Sequence, residues 1–151
     1  MYDPEDEIDA VNWSDFSTAY GVANDVPTLL KMLFGSDTKK AKDAAHELWC
    51  GLCHQHAYVS SAALPSYPIL LKSLDSATSE VAVEILDILW GLAQCSAPDF
   101  GIDPSQRTDW MAELHNQMKA DKEIFETLAN SKNDDVRDFA SWISEELNKT
   151  R

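Results

Sequence analysis

Pro27-Thr28-Leu29-Leu30-Lys31-Met32-Leu33 and Pro68-Ile69-Leu70-Leu71-Lys72-Ser73-Leu74 spell one pattern, P-x-L-L-K-x-L, 41 residues apart. The spacing persists into the segments that follow, because Leu48-Trp49 falls on Leu89-Trp90. A third, weaker copy aligns Leu128 with Leu33 and Leu74, Ala140 with Ala45 and Leu86, and Ile143 with Leu48 and Leu89. A recurrence of two apolar helices at this period identifies stacked helical hairpins, each burying its apolar face on its neighbours. The expected fold class is therefore all-α: a HEAT/armadillo-like, right-handed α-solenoid. About three helical-hairpin repeats are expected, near residues 26–53, 68–93 and 107–148.

Working outward, Asp25 precedes Val26-Pro27, where a proline at the first helical turn lacks only an N–H that would be unpaired anyway. Phe34-Gly35-Ser36-Asp37 ends that helix, and further helices are predicted from about Thr38 to Cys53, Ser79 to Ala93 and Asp134 to Leu147. Pro and Gly make the stretch from Ser96 to Ser105 a loop. No sustained apolar/polar alternation marks an ordinary strand. Residues 1–8 are expected to form an acidic, flexible arm, and residues 9–151 a single domain.

Asn12-Trp13, Ala19-Tyr20-Gly21 and Asp25-Val26-Pro27 with Leu29-Leu30 resemble the opening of small bacterial HEAT-repeat proteins, which carry an A-Y-G…D-V-P-x-L-L start. Leu52-Cys53-His54-Gln55, followed by Tyr58-Val59-Ser60-Ser61-Ala62-Ala63, resembles their H-Q-G-x-x-Y-x-A-T connector. Here His56 stands where the family has glycine, and one extra residue precedes Pro68. The likeness covers roughly residues 12–93. It implies a HEAT-like fold and, because some members resemble immunity proteins encoded beside bacterial toxins, a role in neutralising another protein.

Charge narrows the partners. With 26 acidic and 12 basic residues the formal net charge is −14. Phosphate backbones and anionic lipid surfaces repel such a chain, so neither nucleic acid nor a membrane is expected, and a basic protein is the natural charged partner. The acidic opening, Asp3-Pro4-Glu5-Asp6-Glu7, lacks the apolar stretch of a secretory signal, and three cysteines read as reduced thiols of a cytoplasmic protein.

Cys50-Gly51-Leu52-Cys53-His54 spells the C-x-x-C-H of covalent haem attachment, a chemistry of exported proteins that fits no other signal here. His46, Cys50 and Cys53 are spaced to share one helix face and form the candidate zinc set, against buried cysteines acting as small hydrophobes. Cys53 with His54 or His56 lacks an orienting carboxylate, and the glycines match no phosphate loop, so neither catalytic residues nor a cofactor are expected. Trp49 and Trp90 fall at core spacing, Trp13 and Trp110 are left open between core and surface, and Trp142 counts with them as part of a candidate aromatic surface.

The functional expectation comes from the repeat alignment. On the helix over 79–93 the stripe opposite the apolar one is Glu80, Glu84, Asp87, Gly91 and Gln94. Its counterparts are Lys39, Asp43, His46, Cys50 and Cys53 in the first repeat and Asp134, Asp138, Ser141, Glu145 and Asn148 in the last. Asp43, Glu84 and Asp138 then form a carboxylate ridge on the concave surface, enlarged by Glu80, Asp87, Asp134 and Glu145. These seven acids are the expected partner-binding residues. The expected function is an immunity or inhibitor protein for a basic, nuclease-like toxin, with a general scaffold or a zinc- or thiol-dependent enzyme as the alternatives.

Overall fold

Short polar side chains fix where the long helices begin, because the first backbone N–H groups of a helix have no partner within it. Asp37 accepts from the Lys40 amide at 3.1 Å, Thr78 from Val81 at 3.4 Å, and Asn133 from both Asp135 and Val136 at 3.1 Å. The computed structural model describes residues 2–101, 103, 105 and 107–150. Met1 of the expected arm, Ile102 and Pro104 of the expected loop, Gln106, and Arg151 at the domain end lie outside the described residues.

Among the described residues the helices are α1 (Pro4–Asp9), α2 (Val26–Leu33), α3 (Thr38–Cys53), α4 (Ala63–Ser73) and α5 (Ser79–Cys95). They continue as α6 (Asp109–Ala120), α7 (Lys122–Leu128) and α8 (Asp134–Leu147). The chain is thus all-α, apart from an antiparallel pairing of Ser17–Thr18 with Gly21–Val22. α3, α5 and α8 lie side by side in that order, through the two most extensive helix contacts of the molecule. α2 packs on α3 and α7 on α8, while α4 touches α2, α5 and α6. Leu30, Leu48, Leu52, Ile69, Leu89, Phe125 and Ile143 belong to one continuous buried cluster. No helix among the described residues is long and apolar enough to cross a membrane.

Three sequence expectations change. Helix α4 starts at Ala63, not at Pro68, so the second proline sits inside a helix while Pro27 lies in the first turn of α2. Pro65 falls in the first turn of α4, where a missing N–H costs nothing, and the buried Ala63 and Tyr67 carry the core face back to the new start. The third unit holds three helices, α6 to α8, where the first two hold two.

The opening segment, finally, forms a helix over Pro4–Asp9 and packs on the rest of the chain. Ile8 is 0% exposed, Trp13 is buried and donates from Nε1 to the Ile8 carbonyl at 2.9 Å, and two ion pairs tie the segment down. These are Lys31–Asp9 at 2.7 Å, reaching α2, and Lys72–Glu7 at 2.8 Å, reaching α4. Ile8→Ala should cost about 1–2 kcal/mol, less than a central core truncation, because the arm can detach without unfolding the rest. Faster proteolysis between residues 4 and 16 with little change in the main thermal transition is the expected result; unchanged cleavage would mean Ile8 does not anchor the arm.

Candidate functional site

Helix α3 ends in an uncommon turn. His54, Gln55 and His56 have φ of 41°, 56° and 70°, three successive side-chain-bearing residues in the left-handed region. Each such residue costs about 1 kcal/mol or more, so surrounding contacts must hold the turn. His56 supplies the main one. Its Nε2 lies 2.9 Å from the Asp87 carbonyl and 2.9 Å from Asp87 Oδ1. Both are acceptors, so Nε2 carries the proton. The Cys95 thiol donates to the His56 carbonyl at 3.5 Å, and the His54 ring packs on Tyr58 with centroids 4.9 Å apart.

This turn lies directly over Gly91 of α5. A Cβ on Gly91 would stand 2.7 Å from Cys53 Sγ and 2.7 Å from His56 Cδ2, so only glycine leaves room for the approach. Burial works against a charged His56, yet the hydrogen bonds to the carboxylate and carbonyl of Asp87, its charge and the Gln94 side chain hold the imidazolium pKa above its ordinary 6.5. A raised folded-state value means that this contribution to stability is complete below about 6.5 and is lost as pH rises through the higher folded value. Urea unfolding across that window should show stability falling with pH, and His56→Gln should flatten this component. An unchanged slope in the variant would remove His56 as its source.

The expected acidic stripe is rearranged by these contacts. Asp87 is engaged by His56, and Gly91 is buried under the turn. Asp43 is exposed but pairs with Lys39 at 2.8 Å, and it lines the crevice between α2 and α3. Glu80 is exposed, whereas Glu84 is half-buried. The caps Asp37, Thr78 and Asn133 recur after 41 and then 55 residues, and buried Val81, Ile85, Ile88 and Leu92 match buried Val136, Ala140, Ile143 and Leu147 at the latter spacing. The third copy is therefore offset by one residue from the sequence alignment, about 100° around the helix. Asp138 corresponds to Val83 and Glu84 to Phe139, so Asp43, Glu84 and Asp138 do not share one position.

Helix α8 carries its own acidic stripe instead. Asp134, Asp138 and Glu145 are exposed at spacings of four and seven, on the side that also bears Trp142. One cation serves two of them: Arg137 lies 2.9 Å from Asp134 and 3.9 Å from Asp138. Trp142 is 43% exposed, and its ring lies 6.2 Å from Trp90 and 5.2 Å from Phe139. Trp49 and Trp90 are half-buried and pack against the core, as Trp110 does, while Trp13 is part of the core itself. A cavity of about 480 Å³ opens beside Trp90, between the C-terminal ends of α5 and α8. No periodicity announced it, since Phe100 and Asp99 reach it from the loop after α5.

The candidate metal set divides. His46 Nε2 and Cys50 Sγ are 3.8 Å apart, but Cys53 turns inward and donates to the Trp49 carbonyl at 3.3 Å. Burial pushes the Cys53 and Cys95 thiols up to about 12, so both stay protonated. No group of three or more His, Cys, Asp or Glu side chains among the described residues is arranged to hold a metal ion. Comparison with protein-family models, with curated proteins and with solved structures finds no match to this chain.

Proposed function

We propose that the chain is a HEAT-like helical-repeat module that binds, without catalysis, a basic protein through the outer face of α5 and α8, as an inhibitor or immunity-type protein does. One observation carries the reading: the exposed Trp142 stands among Asp134, Asp138 and Glu145 on a single face of α8. Protein interfaces favour this combination, an aromatic anchor for affinity inside a charged surround that steers the encounter. The side-by-side order of α3, α5 and α8 supports a repeat stack, and such stacks bind along the row of their second helices. The overall charge of −14 raises the local concentration of a cationic partner. Three free cysteines suit a reducing, cytoplasmic setting.

The test is affinity capture from native lysate, with the chain as bait beside a variant bearing Asp134→Lys, Asp138→Lys and Glu145→Lys. Circular dichroism should first establish equal helix content. A basic protein held by the natural chain and lost by the variant supports the proposal, and its activity then identifies what is inhibited. Equal capture, unaffected by salt, points to a scaffold that binds through its apolar side chains and defeats the charge-based reading.

A further inference from the structure

Cys50 is the cysteine that the fold leaves open. Cys53 and Cys95 are buried, and each of their thiols donates to a backbone carbonyl. Cys50 is half-buried and lines a cavity of about 400 Å³ between α3, α2 and the short strand pair. Three groups converge on its sulfur. His46 Nε2 lies 3.8 Å away from one helical turn earlier, and Gln55 Nε2 approaches to 3.8 Å from the left-handed turn. The Tyr20 hydroxyl meets the sulfur from the strand connection; desolvation first, and then Cys50, hold that phenol above its ordinary pKa of 10. With its proton on Nδ1, His46 presents a lone pair to the thiol, a nucleophile and base in reach of one another. The Gln55 amide and the Tyr20 hydroxyl are donors for the thiolate that results. The rest of the wall sets the charge. Asp25 and Glu47 line the same cavity, and among the described residues no lysine or arginine does.

We propose that Cys50 is a thiol-exchange site for small, amine-bearing disulfides, with His46 as its base. The thiol proton passes to His46 Nε2, and the thiolate attacks one sulfur of the incoming disulfide. A new S–S bond forms as the old one breaks. The departing sulfur keeps the electron pair and takes the proton back from His46, so one thiol is consumed and one released. The carboxylates of Asp25 and Glu47 favour a reagent that carries an ammonium group and repel an anionic one. The cavity borders α3, at the opposite end of the helix row from α8, so the site stands apart from the proposed binding face.

The full chain is treated with cystamine, hydroxyethyl disulfide or dithiodiglycolate, which are cationic, neutral and anionic, and followed by intact mass and peptide mapping. Each rate is divided by that of mercaptoethanol with the same reagent. One adduct is expected, on Cys50 alone, and excess dithiothreitol should release it. The normalised rates should fall from the cationic to the anionic reagent by about tenfold at low salt. His46→Gln and His46→Ala should each slow all three reactions about tenfold, with helix content unchanged by circular dichroism. Glu47→Gln should narrow the spread between reagents, whereas Glu126→Gln, an equal change of charge at an exposed position on α7, should leave it. Adducts on Cys53 or Cys95 in the folded chain, or a His46 variant as fast as the natural chain, overturn the site. Equal rates for the three reagents, or equal effects of the two glutamate changes, overturn its preference for amines.

Discussion

Gly91→Ala lowers the thermal midpoint by about 4–8 °C, the equivalent of about 2 kcal/mol for a chain of this size. The direction runs against helix propensity, which by itself favours alanine over glycine in a helix interior by about 1 kcal/mol. Sterics decide the sign. The new methyl group meets Cys53 Sγ and His56 Cδ2 at 2.7 Å and Cys53 Cβ at 3.1 Å. Relief requires either lifting the left-handed turn, with loss of the His56–Asp87 contact, or separating α3 from α5 along their longest contact.

Gly51 is the internal control. A Cβ there finds Thr18 Cβ at an ordinary 3.5 Å, so Gly51→Ala should be neutral or stabilise by up to about 1 kcal/mol. Adding Cys53→Ala to Gly91→Ala removes one of the obstructing atoms, and the pair should lose about 1 kcal/mol less than the sum of the two single changes. Scanning calorimetry of the natural chain and the four variants checks the whole set. A Gly91→Ala midpoint at or above that of the natural chain would mean the turn yields without cost.

Charge reversal at Asp134, Asp138 and Glu145 is expected to slow association with the captured basic partner about a hundredfold at low ionic strength. Three substitutions of two charge units each take the formal net charge from −14 to −8. They also place three cations on the side of α8 that bears Trp142, so the local charge changes proportionally more than the global one. Salt separates the contributions. At about 1 M the screening length falls to about 3 Å, so the natural and reversed chains should approach the same association rate. Stopped-flow mixing at two ionic strengths measures both. A rate difference that persists in high salt would assign the effect to lost contacts, and no difference in low salt would leave the acids on α8 as a merely solvated surface.

The repeated P-x-L-L-K-x-L stretch located α2 and α4 because leucines at helical spacing must be buried and the spacing survives whatever lies between. The starts of α3, α5 and α8 near Thr38, Ser79 and Asp134 were legible too, while the caps Asp37, Thr78 and Asn133 emerge from the structure, the first of them at a position read as the end of α2. The first turn of α4 was missed because the repeat pattern begins at Pro68, and the buried Ala63 and Tyr67 carry the core face back beyond it. Trp13 gave no period to follow, and its burial depends on α1 folding beneath it. The ridge of Asp43, Glu84 and Asp138 failed on one residue: leucine spacing tolerates a shift that a surface stripe does not, because each residue rotates a side chain by about 100°. His56 over Gly91 joins positions 35 apart through a turn with positive φ, a contact that no helical periodicity announces.

The two lysines that grip the first helix sit on different hairpins, Lys31 on α2 and Lys72 on α4. The opening residues therefore act as a clasp, and Glu7 meets its lysine 65 residues further along the chain. Because α2 follows α1 closely and α4 comes later, the first of the two grips is available well before the second. The segment closes only when the chain has grown long enough to fold as a whole.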